Sequence, residues 1–586
     1  MNSIIGISAY FHDSACCLLR DGVLIAAAQE ERFSRRKHDS SLPKMAFRYC
    51  LAEGGMTVSD IDCIAYYEDP RLKLERQLWM TLPQLRTSQA RQLWWKSRQP
   101  EREIREAFGY DGMLQMYTHH QAHAASAFFF SGFRNASILT VDGVGEWATT
   151  TYGVGQDNAV RLFEEVRYPH SLGLFYSTIT NYLGFSVNDG EYKVMGLAPY
   201  GKPLYVEEMK QLLVSKPKGQ YRLNLEYFDF GRNDRMYSPR LSELLKHPAR
   251  ERGAELLPFH RDVARSLQVV LEEILLEKAR YLHENTGNDN LCMAGGVALN
   301  CVANGRILRE GPYRQLFVQP AANDAGCSVG AAALAYAQCA GREWTGERME
   351  HACLGPSFAV DEIRRLIDTT PLHALDFTGQ EEDLLAACVD RLRAGKVMGW
   401  FHGRMEFGPR ALGARSILAD PRDNAMRDRI NALVKKREGF RPFAPAVLES
   451  HAKDHFALDH ASPFMLETCQ VISGLSLPAI THVDGSARVQ TVNESTSPRF
   501  ARLLKMFGQR TGCPILLNTS FNMNDEPIVC SPLDAIRCFT RSAIDTLVLE
   551  DFLIDRDALS NEWTASFRGV PNDMQSNVSH AVYTLF

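Results

Sequence analysis

The sequence predicts a two-domain α/β protein whose first domain holds an internally duplicated sheet. Three observations carry that prediction. The chain has 586 residues, too many to bury around one core. Two strand–turn–strand units recur, over residues 3–29 and 136–167. Helix and strand signals then alternate on both sides of a polar break at residues 340–356, which marks a junction between domains 1–350 and 351–586.

The first unit opens on the β-rich run SIIGISAY, after which SACCLLR and VLIAAAQEE flank Asp21-Gly22, a hairpin signal because both residues tolerate positive φ. The second repeats the plan: ASILTVDG, WATTTYGVG, a turn at Asp157-Asn158, then AVRLFEEV. The actin–hexokinase class of ATPases is built on such a duplication, with nucleotide held between the halves. Residues 71–108 are basic, Trp-rich and helical in pattern. They read as an amphipathic insertion packing its Trp residues on the core, or as a lid or dimer surface. Residues 260–284 give an amphipathic helix that ends before the strand LCMA, and VMGWF, CPILLN and DTLVLE supply strands beyond the junction.

Lys and Arg total 65 against 70 Asp and Glu, a formal charge of -5. That balance gives no general attraction to nucleic acid or to anionic membrane. No apolar stretch reaches membrane-spanning length, and the N-terminus lacks a signal-peptide pattern. The 14 cysteines are dispersed and contain no Cys-x-x-Cys. They read as reduced core thiols of a cytoplasmic protein.

Two features point to chemistry. His119 and His123 lie in THHQAHAASAFFFSGF, and their i, i+4 spacing puts both imidazoles on one helix face. His120 points elsewhere. With 17 histidines a bare pair is weak, and His451/His455 repeat the spacing. Asp142 strengthens the first pair by ending the strand that follows that helix, and Asp324 by opening a small-residue helix after a Pro/Asn loop. Two imidazoles and two carboxylates without thiolate suit iron(II), manganese or zinc. The plainer reading is a helix cap at Asp324 and satisfied core histidines. The second feature concerns phosphate. No P-loop occurs, but AGGVALNCVANG places Gly295-Gly296 between a strand and a helix, and Asp142-Gly143 offers another glycine turn. In the second domain, Arg404, Arg410 and Arg415 lie with Glu406 among small residues, followed by Lys435, Lys436, Arg437 and Arg441. Asn518, Thr519, Ser520 and Asn522 sit just past a strand. Arginine forks and a hydroxyl/amide loop can build an anion pocket, whereas Lys436 and Arg437 suit a solvated face.

The strings YFHDSA, EERFSRRKH, HHQAHAASAF, VDGVGEW, DGEYKVMGLAPYG, GGVALNCVANG, NDAG, MEFGPRALGARSILADPR, REGFRPFAPAV, THVDGSARVQTV and LNTSFN occur in this order. They resemble the nodulation-protein and antibiotic O-carbamoyltransferase family, from Ile5 to about Leu553. The resemblance implies an N-terminal actin/hexokinase-like (ASKHA) domain and a C-terminal threonylcarbamoyl-adenylate-synthase-like (YrdC-like) domain. It implies His119, His123, Asp142 and Asp324 as metal ligands, with Fe2+ the expected ion, and His12 as general base. It implies Gly143, Gly295, Gly296, Asn300 and Lys193 at the nucleotide, and Arg410, Arg415, Lys435, Arg441, Arg488 and Asn518 around carbamoyl phosphate and ATP. Ala414 stands where the family often has a polar residue. His451/His455 belong to none of these motifs and read as surface histidines.

The implied reaction joins carbamoyl phosphate and ATP, with Mg2+ on the nucleotide, into carbamoyl-adenylate and pyrophosphate. The carbamoyl group then passes to a hydroxyl of a small molecule, and a homodimer is compatible with this. Two rivals keep part of the pattern. A small-molecule kinase of the actin–hexokinase class would release ADP, and a non-catalytic nucleotide-binding scaffold would tolerate loss of His12. A tRNA-modifying role would need a basic surface that the charge balance does not supply.

Overall fold

The computed structural model describes residues 2–81, 87–232, 234–339, 347–435 and 437–559. The described residues divide into two compact units, residues 2–30 with His38–Met349, and Glu31–Lys37 with residues 350–559.

The first unit contains two five-stranded sheets of one design. In the first the order is Val23–Gln29, Ala15–Arg20, Ser3–Ser8, Cys63–Tyr66, Met113–Met116. In the second it is Ala159–Arg167, Ala148–Gln156, Asn135–Val141, Asn290–Ala294, Gln315–Val318. Each begins with three antiparallel strands and continues with two strands parallel to the first. The duplication expected from two hairpins therefore extends over whole sheets. The local chemistry explains the hairpins: Asp21 and Gly22 take φ of 50° and 84°, and Asp157 takes 50°, the left-handed values that tight connections need. Parallel neighbours require crossovers, supplied by helices such as Pro258–Thr286 and Cys301–Glu310.

Each repeat ends in a helix that follows its last strand, His119–Phe128 in the first and Asp324–Cys339 in the second. These two helices touch backbone to backbone. A Cβ on Gly330 would stand 1.8 Å from the carbonyl oxygen of Ala122, which explains why the second helix is written in small residues. Gly330→Ala is expected to push the helices apart and cost about 3 kcal/mol, the upper part of the overpacking range. Urea denaturation of the full chain measures the stability loss, and metal affinity should fall with it.

The insertion forms helices Pro70–Thr81 and Thr87–Phe108. Trp79 is largely exposed and meets Trp147 edge-on at 5.7 Å between ring centroids, so it does not pack into the core. The side chains of Trp94 and Trp95 lie outside the described residues. Among the described residues no cysteine of the thirteen forms a disulfide, and all but Cys353 are buried. No described helix is long and apolar enough to cross a membrane.

The second unit is built on an eight-stranded mixed sheet, ordered Leu375–Asp376, Phe552–Asp555, Thr546–Leu549, Met398–Phe401, Arg415–Ala419, Ile515–Ser520, Ala444–Leu448, Gln490–Val492. Asn518 and Ser520 are inside a strand, not beyond it as the sequence suggested. Helices Glu381–Arg393 and Pro498–Thr511 pack on its core, which includes the fully buried Trp400. The segment Glu31–Lys37 belongs to this unit. Arg35 donates to the carbonyls of Pro527 and Ile528 at 2.8 and 2.6 Å, and Arg32 to that of Gly408 at 2.9 Å. No pattern of residue types foretells this excursion.

Candidate functional site

The two repeats present their equivalent loop and helix starts to one place. His12 and Asp13 follow the first strand of repeat one, and Asp142 follows the first strand of repeat two. His119 and Asp324 are the first residues of the two terminal helices. Four side chains, His119, His123, Asp142 and Asp324, place one donor atom each within 4.8 Å of one another. His119 Nε2 is 3.3 Å from Asp142 Oδ2 and 3.7 Å from Asp324 Oδ1, and His123 Nε2 is 3.7 Å from Asp324 Oδ1. Ligand atoms at about 2.1 Å around a tetrahedral ion stand roughly 3.4 Å apart, so the spacing suits a divalent cation.

Hydrogen bonding supports the fit. His123 Nε2 and both Asp324 oxygens are buried and have no hydrogen-bond partner. Buried polar atoms are almost always satisfied, and buried charges are paired or bind metal. A helix cap at Asp324 is ruled out by the same observation. Asp142 is anchored from behind, where the Gly296 amide donates to its Oδ1 at 2.7 Å. His120 turns away to Thr140 Oγ1 at 2.6 Å, as expected from its position on the helix.

The electrostatics are those of a cation site. Burial alone would lower His119, but the charge of Asp324 and the bond to Asp142 outweigh it and pull the imidazole up to about 9. His123 is held well below its ordinary value by burial and by His119. Burial pushes Asp324 up to about 6 despite the neighbouring His12 and His119 charges. Because His119 must lose its proton to bind an ion, protons compete with metal below pH about 9. Apparent metal affinity is therefore expected to fall about tenfold per pH unit as pH drops beneath that value. Zinc titrations of the metal-stripped protein between pH 6.5 and 8.5 check the slope, and a flat response would contradict it.

Some contributors gave no signal in sequence. Glu146 accepts the His119 amide at 3.0 Å and the Asp69 amide at 2.7 Å, placing a carboxylate at the helix N-terminus. Burial and then Glu68 raise its carboxyl to about 7. Cys327 also has its sulfur near His119 and His123, but burial and the Asp324 charge keep the thiol well above its usual range. The carboxylates are the better ligands.

The glycine loops are placed beside this set. Gly295 takes φ of 97°, and a Cβ there would lie 2.2 Å from the Val141 carbonyl oxygen, so only glycine fits. The Gly143 carbonyl accepts from Ser171 Oγ at 2.7 Å. Asn300 caps the helix Cys301–Glu310 through the Ala303 amide at 3.0 Å and pairs with Gln268 in both directions at 3.0 Å. Its amide is thus committed to the scaffold. Lys193 is half-buried on the helix Glu191–Leu197.

In the second unit, two of the residues expected at carbamoyl phosphate and ATP make inward hydrogen bonds. Arg415 is fully buried and its guanidinium donates to the carbonyls of Pro356, His402, Gly403, Ala414 and Cys530, over the Phe401 ring at 3.6 Å. Lys435 Nζ donates to the carbonyl oxygens of Ser520 and Asn522 and to both their side chains, at 2.6–3.2 Å. Burial, with Arg437 and Arg441 nearby, holds this amine well below its ordinary value. Both residues brace turns, because each sits where backbone carbonyls converge. Asn518 Nδ2 donates to Gln490 Oε1 at 2.8 Å and to the Ala411 carbonyl at 3.3 Å, and its Oδ1 is buried without a partner. Arg410 precedes Ala411, and Arg488 lies two residues before Gln490; both are half-buried. Arg441 faces Glu438 at 3.7 Å, and Arg404 donates to the carbonyls of Leu354 and Gly355. Arg437 is not a solvated charge: it bonds Asn431 at 2.7 Å and covers Phe443. Lys436 lies outside the described residues. His455 bonds Ser473, and exposed His451 meets Ser450.

The chain is similar to known proteins. A family model described as the carbamoyltransferase N-terminus matches residues 3–333, and one described as the carbamoyltransferase C-terminus matches residues 389–556. An uncharacterized protein of Synechocystis sp. is 44% identical, over 95% of this chain and 97% of that one. The nodulation protein NolNO of Sinorhizobium fredii is 40% identical, over 97% and 83%. The 3'-hydroxymethylcephem-O-carbamoyltransferase of Amycolatopsis lactamdurans is 35% identical, over 47% and 51%.

Proposed function

The chain belongs to the carbamoyltransferase family, and from that premise we propose an ATP-dependent O-carbamoyltransferase working in two stages. In the second, YrdC-like unit, water releases phosphate from carbamoyl phosphate, and the carbamate oxygen displaces pyrophosphate from ATP, with Mg2+, to give carbamoyl-adenylate. In the first, actin/hexokinase-like unit, the carbamoyl group passes to a hydroxyl of a small molecule and AMP leaves. The convergence of His119, His123, Asp142 and Asp324, with buried lone pairs aimed at one point, is the observation that carries this reading.

His119, His123, Asp142 and Asp324 would hold a divalent ion, Fe2+ in the first instance, which would supply Lewis-acid polarisation of a carbamoyl oxygen. The chain's own groups do the rest. His12 takes the hydroxyl proton as the oxygen attacks the carbamoyl carbon, and the carbon–oxygen bond to AMP breaks with its electrons going to the phosphate. A histidine suits this role because its ordinary value lies near working pH. Here burial would lower it, but Asp324 and then Asp13 pull it up to about 9. Asp324 and Asp142 are among the carboxylates that raise it, so their engagement with a bound cation would leave the imidazole nearer its unprotonated state. The Gly143 and Gly295-Gly296 turns, whose lack of side chains lets a phosphate come close, and Lys193 are the groups assigned to the adenylate. In the second unit Arg410, Arg441, Arg488 and Asn518 are the groups assigned to carbamoyl phosphate and ATP.

The test supplies the purified protein with ATP, carbamoyl phosphate and a panel of hydroxylated compounds, including a hydroxymethyl-cephem and lipo-oligosaccharides. AMP and pyrophosphate are expected in equal amounts, dependent on carbamoyl phosphate, with one acceptor gaining the mass of a carbamoyl group. Release of ADP would instead identify a kinase of the actin–hexokinase class.

A further inference from the structure

We infer that Asp13 and His38 are positioning residues that fix the tautomer of His12, a role resting on the reading of His12 as the base. The Asp13 carboxylate is buried and accepts three hydrogen bonds. His12 Nδ1 lies 3.0 Å from its Oδ2, Asn323 Nδ2 lies 2.8 Å from the same oxygen, and His38 Nδ1 lies 2.8 Å from its Oδ1. An ionised carboxylate can only accept, and its neighbours hold Asp13 well below the usual carboxylate range against the effect of burial. Both imidazoles must therefore carry hydrogen on Nδ1. That leaves Nε2 of His12 with the lone pair, the atom able to receive a hydroxyl proton.

The backbone is bent to make this possible. Side chains of successive residues in extended chain point apart, so a carboxylate does not ordinarily reach the ring of its own neighbour. Asp13 takes φ of 53°, Tyr10 70° and His38 55°, left-handed values that cost energy in non-glycine residues and gather at functional sites. Backbone bonds clamp the two segments together: Tyr10 donates to the Ser40 carbonyl at 2.7 Å and Ser14 to that of Asp39 at 2.9 Å. His38 is flanked on its other side by Asp189, 3.6 Å from Nε2. The charges felt by His12 are those of Asp13, Asp324 and Asp142. Asn323, next in sequence to the ligand Asp324, ties the base assembly to the metal set. One carboxylate thus registers the base against the ion.

The test uses full-length protein loaded with diamagnetic Zn2+ and labelled with nitrogen-15 histidine. The His12 signals are those missing from His12→Ala. In the parent protein the neutral ring is expected to carry hydrogen on Nδ1. In Asp13→Asn the amide can donate to that nitrogen, so the hydrogen should move to Nε2. His38→Asn keeps a donor near the Nδ1 position and should preserve the parent pattern, whereas His38→Leu should average the two tautomers. Transfer to an acceptor found in the panel should fall about 10²- to 10⁴-fold in Asp13→Asn. Pyrophosphate exchange into ATP, dependent on carbamoyl phosphate, should persist, a split that general misfolding would not give. An unchanged tautomer in Asp13→Asn overturns the inference. If the tautomer moves as expected but His12→Ala still transfers at the parent rate, the base reading fails while the positioning geometry stands.

Discussion

Asp324→Asn is expected to strip the ion and slow carbamoyl transfer by about 10³-fold, the equivalent of ~4 kcal/mol of transition-state charge stabilisation. The substitution is isosteric, so it tests charge and lone pairs rather than packing. Asp324 is fully buried and faces both imidazoles at 3.7 Å. Asparagine removes the negative charge and can turn a hydrogen toward the ion. The same change should leave the metal-free fold as stable or more so. The Asp324 carboxyl is raised to about 6, so its stabilising contribution is present below its unfolded value and lost as pH rises through about 6. At pH 8 the parent chain without metal therefore carries a buried charge that the variant lacks. Metal content by mass spectrometry, single-turnover transfer and urea unfolding with and without Zn2+ read the three effects. A variant that retains its ion and its rate would refute the four-ligand site.

The convergence of His119, His123, Asp142 and Asp324 was legible because each of these residues leaves a local mark. Two imidazoles one turn apart declare a helix face, Asp142 ends a strand, and Asp324 opens a helix of small residues. Position in the chain then follows from the duplication, since the two repeats deliver equivalent ends to one point. Asp13 and His38 left no such mark. Their meeting depends on left-handed turns at Tyr10, Asp13 and His38, and nothing in residue type distinguishes those from solvated loop residues. Glu146 was hidden for a related reason: its partner is the backbone amide of His119, to which sequence spacing is blind. In the second domain the density of basic residues was visible, but not which way each turns. Arg415 and Lys435 turn inward, to carbonyls brought together only by the completed sheet.

That inward turn makes Arg415 the site of the second large effect. Arg415→Ala is expected to destabilise the second unit by on the order of 4 kcal/mol. The guanidinium satisfies carbonyls from four separated stretches, at Pro356, His402–Gly403, Ala414 and Cys530. Each carbonyl left buried without a donor costs about 1–3 kcal/mol before relaxation. Beside it, Glu406 accepts the amides of Leu412, Ala414 and Arg415 at 2.7, 2.7 and 3.2 Å, so the brace and its counter-charge stabilise one loop. Lysine is not a substitute, because a point ammonium cannot span what a planar fork spans. Arg415→Lys should therefore lose most of the same stability, and hydrogen exchange at the three amides should quicken in both variants. Pyrophosphate exchange should fail along with the fold. The alternative, direct contact with phosphate, predicts a different pattern. A Lys variant of normal stability, with slowly exchanging amides and only a raised KM for carbamoyl phosphate, would return Arg415 to the ligand pocket.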